Sequence, residues 1–71
     1  LGSTALHNAA YAGQTAVIDA LIRHGADVHA KDNDGDTPLH NAVHWGHNST
    51  IGALVRHGAD VHAKDNDGRT A

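Results

Sequence analysis

The 71-residue sequence contains no cysteine, phenylalanine or methionine, and one each of proline, tryptophan and tyrosine. Without cysteine there is no disulfide framework, no thiolate metal site and no thiol nucleophile. Together with the lack of a signal-peptide pattern, this fits a reducing, intracellular setting. With so few large aromatic side chains, any core must be assembled from Ala, Leu, Ile and Val, which favours thin layers packed closely together. Positive charge is also scarce: five Lys and Arg stand against eight acidic residues, giving a net charge of −3 with His neutral. That balance offers no basic stripe for a nucleic acid. No run of about 18 apolar residues is present, so no transmembrane span is expected.

What the chain does have is internal repetition. Gly2, Gly35 and Gly68 are spaced 33 apart, and aligning residues 2–34 with 35–67 leaves 22 of 33 positions identical. The stretch from Arg23 to Asp34 recurs unchanged from Arg56 to Asp67. Chance does not produce such a match, so the period is the structural unit. The chain is expected to be one array over 1–71, with copies at about 2–34 and 35–67 and a partial third copy at 68–71.

Each copy reads as helix, turn, helix and extended loop. In the second copy Thr37 is placed to cap a helix whose first residue is Pro38, where a missing N–H costs nothing. Leu39, Ala42 and Val43 then follow at helical spacing, and Gly46 ends the segment. A second helix is expected from about Ser49 to His57, with Ile51, Leu54 and Val55 inward and Gly58 as its stop. The first copy repeats the plan with Leu6, Ala9 and Ala10, then Gly13, then Val17, Ile18, Leu21 and Ile22, then Gly25. Asp34-Gly35 and Asp67-Gly68 are hairpin-turn signals. Val28 and Val61, the large apolar residues of the two loops, are expected to pin each loop to its helix pair. Helices this short need neighbours to be stable.

The residues Thr37-Pro38-Leu39-His40, Ala42, Gly46-His47, Ile51, Leu54 and Gly58-Ala59-Asp60-Val61, at a 33-residue period, closely resemble the ankyrin-repeat pattern, and the resemblance covers essentially the whole chain. It implies an all-α fold, a solenoid of antiparallel helix pairs with projecting β-hairpin loops. It also implies that the chain is not an enzyme, and that partner proteins bind on a concave face made by loop tips and first helices. Some residues depart from the pattern. His29 and His62 stand where Asn is usual, and Ala5 and Ala71 replace the proline. Gly52, inside the fourth helix, costs ~1 kcal/mol relative to Ala. With Thr50 in the place of Val17, it makes the second copy look the less well packed of the two.

Eight histidines invite a metal reading, and His40, His44 and His47 are spaced i, i+4, i+7. Gly46 breaks the helix before His47, no Asp, Glu or Cys completes the set nearby, and by resemblance His40 is a buried hydrogen-bonding residue that ties neighbouring repeats. No metal and no cofactor are therefore expected. Asp32-Asn33-Asp34-Gly35-Asp36 has the flavour of a calcium loop, but Ala30 and Asn41 stand where ligands are required. Ser3 and Ser49 lack a paired base and orienting acid, so no catalytic set is assigned.

The positions that differ between copies are where the sequence is free to specialise. Tyr11/His44 and Ala12/Trp45 end the first helices, and Ser3/Asp36 sits at the loop exit. By resemblance these lie on the concave face, with Asn33, Asp34, Asn66, Asp67 and Arg69 as the loop-tip part of the same surface. The expected partner-binding set is thus Tyr11, Asn33, Asp34, Asp36, His44, Trp45, Asn66, Asp67 and Arg69, suited to a basic or amphipathic partner protein. For Trp45 an ordinary packing role over the preceding copy stands beside that reading. Two copies with uncapped ends, exposing Leu6, Ala9 and their neighbours, suggest an interaction module within a longer array. The alternative is a structural protein whose copies stack head-to-tail into filaments or tubes.

Overall fold

The computed structural model describes residues 4–71, which form four helices: α1 (Ala5–Tyr11), α2 (Thr15–Arg23), α3 (Pro38–His44) and α4 (Asn48–Arg56). Three-residue turns join α1 to α2 and α3 to α4, a connection short enough to make each pair an antiparallel hairpin. α1 packs on α3 and α2 on α4, so the two pairs stack in register. Gly2 and Ser3 lie outside the described residues.

The first helices start where the sequence says they should. Thr4 and Thr37 are extended N-caps whose hydroxyls accept the backbone N–H of His7 and His40. In return, the ring Nδ1 atoms of the two histidines accept the N–H of Thr4 at 3.3 Å and of Thr37 at 3.1 Å. Each cap is thereby reciprocal, a device worth roughly 1 kcal/mol per helix. Because Nδ1 accepts, Nε2 carries the proton and donates across the stack. His7 donates to the Asp36 carbonyl at 2.7 Å and His40 to the Arg69 carbonyl at 3.0 Å. One buried imidazole therefore fixes both a helix start and the spacing to the next loop. The buried, repeat-tying role expected of His40 is what the geometry shows.

The core consists of Leu6, Ala9, Ala10, Ile18, Val28, Leu39, Ala42, Ala53 and Leu54. Several sequence expectations change here. Leu6 and Ala9 do not form an outer face, since packing of α1 against α2 and α3 buries both. Val17, Val43 and Val55, expected inward, are exposed, because they are not among the residues packed against the core. Val61 is 45% exposed and pins nothing, whereas Val28 in the identical segment is 9% exposed. α4 begins and ends one residue earlier than expected. Thr50 is not a packing defect: it is buried and hydrogen-bonded to the Thr15 hydroxyl at 2.8 Å.

The loops also differ from the expected β-hairpins, for no strand forms among the described residues. Asp32 to Gly35 close a tight turn, with the Gly35 N–H donating to the Asp32 carbonyl at 3.0 Å and the Asp32 N–H to the Asp36 carbonyl at 2.9 Å. Positive φ occurs at Gly35 (77°) but at neither Asn33 nor Asp34, so this is a type I turn followed by a left-handed glycine. The Asp32 carboxylate accepts the N–H groups of Asp34 and Asp36.

Candidate partner-binding surface

The C-terminal ends of α1 and α3 bring three rings together. Tyr11 and Trp45 meet edge-to-face with centroids 4.9 Å apart, and His44 meets Trp45 the same way at 5.1 Å. Tyr11 is 56% exposed and Trp45 50% exposed. Trp45 thus packs over the preceding copy, as its ordinary reading requires, while half its surface faces solvent. Such edge-on pairs contribute about 1 kcal/mol beyond area burial. The burial that would normally accompany rings of this size is missing.

The loop-tip residues divide into two groups. Asn66 is committed to the stack: its N–H donates to the Asp34 carbonyl at 2.9 Å and its Nδ2 to the Asn33 carbonyl at 3.0 Å. Asn33 and Asp34 are joined to the next loop through those carbonyls, while their side chains project into solvent. Asp67 and Arg69 pair at 3.0 Å, and Arg69 also reaches Asp65 at 3.2 Å. Lys31 turns along the stack to the Lys64 carbonyl at 3.4 Å. Asp36, by contrast, lines an open cleft of about 350 Å³ with His40, Asn41, His44, Asp65 and Arg69.

The two cleft carboxylates have opposite electrostatics. Asp36 is pushed above the ordinary aspartate value, first by partial burial and then by the Asp32 carboxylate, with Asp65 and Asp34 adding to the effect. Asp65 is held below it, chiefly by the Arg69 backbone N–H. Asp65 was missing from the sequence-derived site. It lies 29 residues beyond Asp36, and only the stacking of one loop on the next brings them together. The 33-residue period was the available signal, since it sets each residue beside its counterpart in the following copy.

Asp36 and Asp65 also correct the expectation that no Asp, Glu or Cys completes a set beside His40. Ligand atoms of Asp36, His40 and Asp65 lie within 4.8 Å of one another, as do those of Asp32, Asp34 and Asp36. Neither group is equipped for a metal. Both nitrogens of His40 are already hydrogen-bonded, which leaves two carboxylates, fewer than zinc or calcium takes from a protein site. In the second group one oxygen of Asp32 already holds its own turn. His47, the third member of the histidine series, donates to the Tyr11 carbonyl at 2.9 Å.

A family model described as ankyrin repeats (3 copies) matches residues 1–65. The chain belongs to the ankyrin repeat family. Ankyrin repeats are protein-interaction modules and in general carry no catalytic activity. No curated protein matches the chain closely enough to count as a relative. Among the described residues no helix of this ankyrin chain is long and apolar enough to cross a membrane.

Proposed function

We propose that this ankyrin chain captures a partner protein on the face formed by the loop tips and the ends of α1 and α3. The observation that carries the reading is the ring cluster Tyr11–Trp45–His44, which spans both copies and stays half open to solvent. Large rings held rigid at low entropic cost are the usual anchors of protein interfaces. Asn33, Asp34, Asp36, Asp67 and Arg69 supply the polar rim, and Asn66 supports it from within the stack. The test is Trp45→Ala. It should weaken capture of a selected binding peptide by at least about tenfold, the scale of an interface anchor, while far-UV circular dichroism stays unchanged. An equal loss of helicity would make Trp45 a packing residue and end the proposal for it.

A second reading, stacking of copies head-to-tail, is favoured by the apolar face of Val43, Val55 and Val61, whose counterparts Ala10, Ile22 and Val28 are covered by the second copy. A following repeat in the same array fits that face without conflict. A second chain in repeat register meets an obstacle, because its Thr4 and Ala5 fall where Thr70 and Ala71 already sit. Sedimentation velocity separates the two: polymers growing with concentration favour self-stacking, and a single monomeric species counts against it.

A further inference from the structure

The proposed binding face has a cleft beside α3 whose charge is unbalanced. Across residues 31–36 and 64–69 there are five aspartates but only three cations, Lys31, Lys64 and Arg69. All three cations are turned to other partners or to solvent. The Lys31 ammonium donates to a carbonyl, and the Arg69 guanidinium is held by Asp65 and Asp67 although its residue borders the cleft. Asp65 is well satisfied, since it also accepts the backbone N–H groups of Asp67 and Arg69. Asp36 is not. Among the described residues no donor reaches its carboxylate; the atoms it has engaged are its backbone N–H, by Asp32, and its backbone carbonyl, by His7 and Asp32.

The cleft and the ring cluster are continuous. His44 lines the cleft and also stacks on Trp45, which stacks on Tyr11. A chain lying across this face meets a carboxylate that lacks a donor on one side and an apolar ledge on the other. About 350 Å³ of open space suits one long side chain and is near the bottom of the range of small-ligand pockets, roughly 300–1,000 Å³. Lysine and arginine match both parts, with an aliphatic stem for Val43 and the rings and a cation for the carboxylate.

We propose that this cleft receives a lysine or arginine side chain of the partner protein, with its cation at Asp36 and its neighbouring apolar residue on the Tyr11–Trp45 ledge. The inference rests on the partner-binding reading above and adds the chemistry the partner presents. Arg69, which borders the cleft, places a positive charge beside the site of the incoming cation and so opposes its binding.

The experiment is a selection of random dodecapeptides on the 71-residue protein, followed by titration of the selected peptides using the fluorescence of Trp45, the single tryptophan. Binders are expected to share a basic residue at a fixed distance from an apolar one. Exchanging that basic residue for glutamine, or Asp36→Asn in the protein, should each weaken binding about tenfold, as for a charge-assisted contact. The two changes together should cost little more than either alone. Arg69→Gln should strengthen binding, an effect that a merely structural role for the cleft does not produce. Selected peptides without a fixed basic residue, or an Asp36→Asn protein that binds them equally well, overturn the inference. If Trp45→Ala, read by calorimetry, still abolishes capture in that case, the binding face stands and only its basic specificity falls. If Trp45→Ala and Asp36→Asn both leave binding intact, or if no peptide is enriched, the inference fails together with the face.

Discussion

Residues 23–34 and 56–67 are the same twelve residues in the same order, yet they live in different environments. Val28 is buried and Val61 is nearly half exposed. His24 donates to the Ala20 carbonyl within its own helix, whereas His57 crosses to Asp19 of the preceding copy at 2.8 Å. Asn33 lends its carbonyl to the next loop, and Asn66 spends its amide on the previous one. The difference is position in the stack: the first copy has a neighbour after it, the second a neighbour before it. In a quasi-one-dimensional fold, a side chain's energetic weight is set by which of its two faces is covered.

The largest expected effect breaks this comparison at the glycines that follow the turns. Gly35 and Gly68 have nearly equal positive φ, 77° and 78°, so alanine at either costs about 1–2 kcal/mol of backbone strain. At Gly35 the added methyl also meets the Asn66 side chain and, at 2.7 Å, its backbone nitrogen, while at Gly68 it meets nothing. Gly35→Ala should therefore lower the urea midpoint well beyond Gly68→Ala. Equal losses would mean the loops do not stack as described.

Next comes Val28→Ala against Val61→Ala. Removing buried methyl groups at Val28 should cost about 2 kcal/mol, and the same change at Val61 should stay within about 0.5 kcal/mol. Thermal melts of the two variants measure the difference directly, and a matching loss at Val61 would indicate that something covers that face in solution. A smaller effect of opposite sign is expected in α4. Gly52→Ala places its methyl 3.3 Å from the flexible end of Arg56 and should stabilise the chain by up to ~1 kcal/mol.

The smallest effects are the carboxylates, where the sign is the informative part. Asp65 titrates below its ordinary value of 3.8 in the folded chain, so its ionised form favours folding above that value, and the contribution fades as pH falls. Asp36 titrates above 3.8, so its ionised form opposes folding at neutral pH, and the penalty disappears in acid. Asp65→Asn should lower the melting temperature at pH 7 and Asp36→Asn should leave it level or raise it. As pH falls, the Asp36 difference should fade first and the Asp65 difference later, below its ordinary value of 3.8, because the folded Asp65 carboxyl takes up its proton at lower pH. Parallel shifts of the same sign would contradict the cleft electrostatics.

Much of the architecture was legible in the residues. Thr37-Pro38 marks a helix start because a hydroxyl cap and a donor-free first residue satisfy local demands. Gly46 and Gly58 mark ends for equally local reasons. The hairpin expectation failed because Asp-Gly signals a reversal without specifying whether a ladder follows. Here the Asp32 carboxylate takes the Asp36 N–H, which pairing would have given to a backbone carbonyl. The assignment of Val17, Val43, Val55 and Val61 to the interior failed for another reason. Helical spacing identifies an apolar side, but not whether a neighbour covers it.

The sequence by itself therefore determined the repeat length, the N-caps and starts of α3 and its counterpart, and the glycines that end the helices. Each follows from interactions within a few residues or from exact repetition at 33. Only the tertiary structure decided that Thr50 is satisfied by Thr15, that Asp19 meets His57, and that Asp36 and Asp65 share a cleft beside an exposed ring cluster. Those pairings join residues 29 to 38 apart across a stacking interface. Their distances are fixed by how one helix pair seats on another, which no local pattern records.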